Sequence, residues 1–314
     1  MHIRTNKTLN RVFRPIVVFC EWLGVHYPKL LMRIRYIARF HRLLNLKEPQ
    51  TLNEKILYLS LCTDTTLWTR CADKYAVREY VKECGLEDIL IDLLGVWKDP
   101  KEIDFSKLPD KFVLKGNHGC GDIFIITDKR NLDKEKIVRT LEKDLKEKYG
   151  ALEAGMHYMR IEPVAIAEAY LENDEDTAKI SDSLIDYKIW CFNGKANYIW
   201  VSTNRHYVNG QEIKETMVYD RDWHPHPEYL IYDKGYIKAE NLAKPKNFER
   251  MLEVAEKLSN PFPQVRCDLY NINGKIYFGE LTFTGYGGLM THYTVEFQKL
   301  AGSMIDLSGV KVIR

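Results

Sequence analysis

Several features are missing from this 314-residue chain. There is no Cys-x-x-Cys pair, and the seven cysteines (20, 62, 71, 84, 120, 191 and 267) are an odd number. This argues against a disulfide framework or a cysteine zinc site, and reads as reduced, mostly packed thiols in a cytosolic protein. No uncharged stretch reaches the roughly 18–20 residues that a transmembrane helix needs. The apolar run from Ile16 to Phe19 is too short for a secretory signal and is followed by Glu21. An excess of one charge is also lacking, with 46 Lys and Arg against 44 Asp and Glu. That balance hides an asymmetry: residues 1–47 hold ten basic residues and one acid, leaving 36 basic and 43 acidic residues in the remainder. A mildly acidic bulk argues against a general nucleic-acid binder. Neither a P-loop nor a dinucleotide fingerprint is present, and Cys120 with His118 lacks an identifiable base and third partner for a nucleophile.

What is there describes a soluble globular protein, 45% apolar and 29% charged, long enough for one large or two to three small domains. Residues 9–46 interleave Arg11, Arg14, Lys29, Arg33, Arg35, Arg39 and Arg42 with apolar residues such as Phe13, Trp22 and Leu30. The spacing suits two amphipathic helices broken near Gly24 to Pro28. Two readings stand: peripheral attachment to an anionic membrane surface, or a helical pair packed on the protein's own body with its basic side in water.

Further on, Asp73 is placed to cap a helix that Gly85 ends, with Lys74 and Arg78 on one face. Phe112 to Asp128 (FVLKGNHGCGDIFIITD) reads as strand, glycine loop, strand, with Lys115 at the end of the first strand. Gly116, Gly119 and Gly121 leave backbone N–H groups free to fold over phosphates, although an ordinary turn has the same composition. Residues 133–149 suit a charged surface helix, and Val164 to Asp174 an apolar strand running into acids. Asp186 to Val201 is a hairpin around Asn193-Gly194, with Asp186 and Lys188 on one face. Residues 202–245 show no clean period and read as a long excursion that builds a substrate pocket. His224 and His226 within it do not make a metal site without further ligands. Residues 246–259 suit a helix with Phe248, Met251, Leu252, Ala255 and Leu258 inward, and 293–314 a packed tail.

Val265 to Gly288 (VRCDLYNINGKIYFGELTFTGYGG) is a second hairpin, turning at Asn273-Gly274. Arg266 and Asp268 share a face, as do Glu280 and Thr282. Charge beside a core is costly unless paired or metal-bound. The alternatives are a structural ion pair between Arg266 and an acid, or two carboxylates holding a hard cation such as Mg²⁺.

Five segments in order, TLNEKI, DKYAVREYV, FVLKGNHGCG, DYKIWCFNGK and VRCDLYNINGKIYFGELTFT, resemble the ATP-grasp superfamily, and more narrowly the TupA-like ATP-grasp family of bacterial surface polysaccharide biosynthesis. They span roughly residues 49–290. The resemblance implies an α+β ATP-grasp fold, two α+β subdomains clasping ATP behind a basic helical extension. The expected divisions are residues 1–48 for the extension, 49–110 for a region before the nucleotide lid, 111–170 for the lid subdomain and 171–314 for the C-terminal subdomain.

It also implies roles. Lys115 and the loop with Gly119 and Gly121 would lie over the phosphates, with Lys74 or Arg78 as a further phosphate contact. The backbone of Glu168, Ala169, Tyr170 and Leu171 would read adenine, with Glu172 or Asn173 near the ribose. Lys188 would meet a phosphate, Asp268 and Glu280 would bind Mg²⁺, and Arg266 would face the transferred phosphoryl group. Arg205 is the candidate near the acyl phosphate or acceptor. Many ATP-grasp ligases continue Glu-x-Asn, whereas here the third ligand position is Thr282, a weaker donor that leaves a second metal in doubt. The implied activity is amide formation between a carboxylate, such as a uronic acid, and an amine, at the cytoplasmic side and at the inner face of the membrane if residues 1–47 attach there. Competing readings are a glycosyltransferase, for which Asp220 to Asp222 is the Asp-x-Asp candidate, and a non-catalytic ATP-binding scaffold.

Overall fold

The computed structural model describes residues 7–119, 121, 123–208 and 210–313, with side chains from residue 14 onward. Cys120 and the side chains of Arg11 and Phe13 lie outside these described residues. The chain opens with a helical hairpin, α1 (Lys7–His26) and α2 (Pro28–Phe40). Pro28 opens α2, where its fixed φ suits the first turn and its missing N–H costs nothing. Gly24 allows α1 to touch the body, since a Cβ there would sit 1.7 Å from the Ala151 carbonyl oxygen. α2 buries Leu31, Met32 and Tyr36. Met32 and Tyr36 share a small core with Leu57, Ala154 and Leu289.

Three further helices follow: α3 (Leu52–Cys62), α4 (Thr66–Ala72) and α5 (Val77–Glu83). Thr51 begins α3 with a capping box, its hydroxyl accepting from Glu54 N–H while the Glu54 carboxylate accepts from Thr51 N–H. The expected helix over 73–85 is shorter. Asp73 Oδ1 accepts from the N–H groups of Tyr75 and Ala76, so residues 73–76 form a turn and Lys74 lies outside α5.

Next come β1 (Leu93–Trp97), β2 (Phe112–Gly116), β3 (Ile123–Ile126), α6 (Lys134–Asp144), α7 (Met156–Met159) and β4 (Ala165–Ala169). The four strands make an antiparallel sheet in the order β1-β4-β2-β3. Phe112 and Leu114 point into a core with Ile137 and Leu141 of α6, so Lys115 falls on the opposite face by strand alternation. The boundary expected at residue 111 runs through this sheet, because β1 pairs with β4.

The remainder carries α8 (Glu175–Ala178), β5 (Asp186–Phe192), β6 (Lys195–Val208), β7 (Gln211–Asp220), β8 (Tyr236–Lys238), α9 (Phe248–Ser259), β9 (Gln264–Ile272), β10 (Lys275–Thr282) and α10 (Val295–Ser303). A six-stranded sheet runs β10-β9-β5-β6-β7-β8. One face packs Ile189, Cys267 and Leu269 in a core with Phe248, Met251, Leu252, Ala255 and Leu258 of α9. Helices α3 to α5 contribute to this same core through Ile56, Trp68 and Tyr80. The excursion expected over 202–245 is regular up to Asp220, where β6 and β7 end, and mostly irregular from there to residue 245. β6 and β7 form a long hairpin that turns at Gly210, in the left-handed region at φ 78°.

Of the three register shifts in this sheet, two bear on the charged face, and the third falls between Trp190 and Cys191 in the pairing of β5 with β6. In β10 the pairing shifts between Phe278 and Glu280, so Phe278 lies opposite Leu269 in the core and Glu280 lies opposite Asp268 on the other face. Gly279 is the inserted residue, and a Cβ on it would come within 2.9 Å of the Asp268 carbonyl oxygen. In β6 the shift falls between Thr203 and His206, where Asn204 takes φ 49°, a conformation asparagine tolerates.

Candidate active site

The face of the large sheet away from α9 carries a row of charge set by strand register. Glu280 lies opposite Asp268, Asp268 opposite Lys188, and Lys188 opposite Trp200. The neighbouring row runs from Thr282 to Arg266 to Trp190. Residue spacing of two along β5, β9 and β10 sets each pair on one face, as the sequence leads one to expect, and the strand pairing with its bulge at Gly279 brings the pairs into line.

The contacts are close. Arg266 grips Asp268 with both arms of its guanidinium, Nε donating to Oδ1 at 2.7 Å and Nη2 to Oδ2 at 2.6 Å. The same Nη2 donates to the Thr282 hydroxyl at 3.1 Å, and that hydroxyl donates to Glu280 at 2.9 Å. Lys188 donates to Asp268 at 3.1 Å and also to Asp186. Arg205 reaches Asp186 at 2.5 Å and Glu212 at 3.3 Å, and Lys214 donates to Glu212 at 2.8 Å. Arg205 thus belongs to the cluster, carried there from β6 by the strand beyond the Asn204 bulge. The chain of charge crosses five strands, and Arg266, Asp268, Asp186, Lys188 and Lys214 are all buried.

Burial and neighbouring charge pull the carboxyls in opposite directions. For Asp268 burial dominates over Arg266 and Lys188 and its pKa lies above the ordinary range. For Glu280 burial acts upward too, but Lys74, Arg266 and Lys188 outweigh it and its pKa lies below the ordinary value. Asp186 behaves like Glu280: burial is the largest influence, yet the charges of Lys188 and Arg205 together hold its carboxyl well below the usual range.

The small sheet supplies a second set of cations. Lys115 Nζ lies 2.5 Å from Glu168, and Arg78 lies 3.7 Å from the other oxygen of the same carboxylate. Lys74 donates to the Gly119 carbonyl at 2.7 Å and lies 3.8 Å from Glu280, so it joins the glycine loop to the large sheet. Lys74 and Arg78 therefore serve different places and do not form one helical patch. Gly119 is required where it stands, with φ 65° and the Tyr149 ring 2.3 Å from where a Cβ would be. Gly121 is nearly as confined, 3.0 Å from Asp144 by the same measure.

The expected hinge is partly committed to the sheet. The Ala169 N–H donates to Asp92 O at 2.9 Å, and Glu168 is paired through its backbone with both neighbouring strands while its side chain binds the two cations. Tyr170 and Leu171 follow the strand, and Glu172 forms an exposed pair with Lys111 at 2.5 Å. Asn173 is occupied structurally, donating to the carbonyls of Ser181 and Ser183.

Sequence reasoning missed Glu212, Lys214 and Asn117. The first two show the same two-residue spacing as Asp186 and Lys188, following the turn signal Asn209-Gly210. Asn117 fastens the glycine loop, its side-chain amide donating to Asp73 at 2.8 Å while its backbone carbonyl accepts from Lys74 N–H. The Asp-x-Asp candidate has a local role: Asp220 Oδ1 accepts the N–H groups of Asp222 and His224, closing a turn at the end of β7. Asp220, Asp222 and His224 are close enough to share a cation, but the cluster stands at an exposed strand end and has nothing besides its own turn to mark it as a site.

The donor set on β9 and β10 suits Mg²⁺. Asp268 and Glu280 are opposed carboxylates, Thr282 adds a hydroxyl, and all are hard oxygen ligands of the kind that cation takes together with phosphate oxygens. Surrounding lysines and arginines suit the phosphates themselves.

A small antiparallel sheet bearing a lysine and a glycine loop, set against the buried charged face of a larger sheet, is the arrangement of the ATP-grasp class. The chain belongs to the TupA-like ATP-grasp family, whose model matches residues 54–306. No curated protein matches the sequence. Among solved structures, the D-alanine–D-alanine ligase of Bacillus anthracis is similar at 15% identity and a TM-score of 0.46, over 77% of this chain and 66% of that one. An L-amino acid ligase of Bacillus licheniformis is similar at 15% identity and a TM-score of 0.48, over 90% of this chain and 61% of that one. The ATP-grasp ligase PsnB, complexed with its minimal precursor, Mg and ADP, is similar at 12% identity and 0.36, over 74% and 58%. The family assignment rests on the family model.

Proposed function

We propose that the chain is an ADP-forming carboxylate–amine ligase that uses Mg²⁺ and ATP to make an amide in bacterial surface polysaccharide assembly, at the cytoplasmic side. A uronic acid or similar carboxylate and an amino acid or amino alcohol are the proposed substrates. The observation that carries the reading is the register row Glu280, Asp268, Lys188 with Arg266 beside it. Charge count supports it. The cations Lys74, Arg78, Lys115, Lys188, Arg205, Lys214 and Arg266 outnumber the carboxylates Glu168, Asp186, Glu212, Asp268 and Glu280 by two. Mg-bound ATP is a dianion and would neutralise that excess.

The chemistry follows from the weakness of a carboxylate as an electrophile. A substrate carboxylate oxygen bonds to the γ-phosphorus, the bond to the bridging oxygen breaks, and ADP leaves. The amine nitrogen then bonds to the acyl carbon, phosphate leaves, and the amine gives up a proton. Mg²⁺ held by Asp268 and Glu280 would supply charge neutralisation at the phosphate oxygens. Lys115 and the backbone around Gly119 and Gly121 would orient the phosphates, and Tyr170 and Leu171 would read the adenine edge, with Glu172 toward the ribose. Lys188 and Arg266 would balance charge on the group in transit, and Arg205 would hold the acyl phosphate or its acceptor.

The test is direct. The full chain is incubated with ATP, Mg²⁺ and pools of uronic acids and amines, and ADP and phosphate are measured. Release that depends on both pools supports the ligase. Unchanged ADP formation in both Asp268→Asn and Glu280→Gln would refute the metal assignment, and tight ATP binding without turnover on any pool would point to a scaffold.

A further inference from the structure

The helical hairpin buries one side and leaves the wrong side in water. Leu23, Leu31, Met32 and Tyr36 are buried against the body. On the outer side Val18, Trp22 and Val25 of α1 recur at i, i+4 and i+7, and so do Leu30, Ile34 and Ile37 of α2. All six are exposed, from 38% at Val25 to 53% at Val18. An i, i+4, i+7 row forms one stripe along a helix, so the hairpin presents two adjacent apolar stripes. Isolated exposed apolar residues are ordinary, but a contiguous patch of this kind marks a docking surface.

The charges beside the stripes indicate what docks. Lys29 and Arg33 each precede a stripe residue by one position, so they form a parallel basic row about 100° round α2. Both are exposed, as is Arg14 on α1, and Glu21 is the only acid from residue 14 to residue 47. Trp22 stacks on His26 at 4.9 Å and lies 5.6 Å from Tyr27, an aromatic cluster at the hairpin turn. A self-associating apolar face would bring these cations against their own copies. Apolar stripes flanked by long basic side chains, with indole and phenol at one end, instead match the interface of an anionic bilayer, where stripes enter the acyl boundary and cations meet headgroup phosphates. Among the described residues no helix is long and apolar enough to cross a membrane, so the contact would be peripheral.

We infer that the outer face of α1 and α2 docks on an anionic phospholipid surface. This docking bears on the site as well. Arg39 of α2 donates to Thr291 at 3.2 Å, and Met32 and Tyr36 pack with Leu289, so the hairpin is fixed to the loop that follows β10. A docked protein would hold that loop, and the charged face beside it, at a set orientation to the lipid.

The test is flotation of the full chain with vesicles of phosphatidylcholine alone and of phosphatidylcholine with phosphatidylglycerol. Binding is expected only with the anionic lipid and should weaken as salt rises. Lys29→Gln with Arg33→Gln should lower affinity about thirtyfold, at about 1 kcal/mol for each basic side chain removed. Trp22→Ser with Ile34→Ser should also release the protein, and since both residues are exposed these variants keep their fold, checked by an unchanged melting temperature. Equal binding to both vesicles, or variants that float like the unaltered chain, would overturn the inference. So would a dimer in solution that the Trp22→Ser, Ile34→Ser variant dissolves while vesicle binding is absent.

Discussion

Replacing Gly279 with alanine tests the register on which the site depends. The added Cβ would lie 2.9 Å from the Asp268 carbonyl oxygen, 3.4 Å from Tyr270 Cε2 and 3.5 Å from the Asp268 carbonyl carbon. Ordinary contact begins near 3.4 Å, so β9 and β10 would have to separate by about 0.5 Å at the bulge. The backbone is the obstacle, and it cannot swing away as a side-chain tip would. Overpacking of this kind costs about 1–3 kcal/mol, which for a chain of this size lowers the melting temperature by roughly 2–4 °C for each kcal/mol. Asp268 and Glu280 move apart with the strands, so Mg-dependent ATP affinity should fall by roughly tenfold, the equivalent of about 1.4 kcal/mol. Gly309→Ala is the control, since a Cβ there meets nothing within 4 Å. Urea unfolding gives the stability term and calorimetric titration of ATP with Mg²⁺ gives the affinity. If Gly279→Ala and Gly309→Ala proved indistinguishable in both measurements, the bulge would not be the constraint argued here.

Two other perturbations address the frame around the site. His157 is fully buried beside Trp68 and Tyr158, and burial depresses its pKa to about 3 from an ordinary 6.5. Between those values the unfolded chain takes up a proton that the folded one refuses, so stability falls as pH falls, by about 1.4 kcal/mol per unit. His157→Phe removes this term, and its stabilisation in urea should be about 2 kcal/mol larger at pH 5 than at pH 7.5; an equal gain at both would sink the explanation. Thr51→Ala removes the hydroxyl of the capping box on α3 and should cost about 1 kcal/mol, with Thr51→Ser restoring most of it.

Much of the sheet architecture could be read from the chain. Asn193-Gly194 and Asn273-Gly274 announce their hairpins because both residues must take positive φ, and they do, at 49° and 75° and at 50° and 87°. Spacing of two along β5 and β9 put Lys188 and Asp268 in view, since strand alternation is local. The helix over 248–259 follows from its apolar period. What stayed hidden depends on partners distant in sequence. β1 is half-buried throughout, so Leu93 to Trp97 shows no alternation to mark it as a strand, and only its pairing with β4 makes it one. The β6–β7 arms end in exposed Tyr207 and Val208, which blurred the period although Asn209-Gly210 lay between them. Lys74 looked helical because DKYAVREYV has helical spacing, yet the Asp73 carboxylate captures two N–H groups and delays the helix to Val77. The sequence resemblance gives Glu168 only a backbone role at the hinge, whereas its side-chain pairing with Lys115 and Arg78 depends on the small sheet's register.

The bulges at Gly279 and Asn204 give the large sheet something like a reading frame. A strand is read in twos, one residue to each face, and a single inserted residue shifts every later side chain to the other face. Before Gly279 the even positions of β10 point into the core, as Phe278 does; after it they point to the site, as Glu280 and Thr282 do. The strand thus spells a core sequence and a site sequence in two frames, joined at one glycine. No single substitution could interchange them, whereas a strand that kept Gly279 but paired without the bulge would turn Glu280 toward the apolar core in one step. Insertions and deletions near residues 204 and 279, more than point changes, are where the identity of this face would be lost or remade.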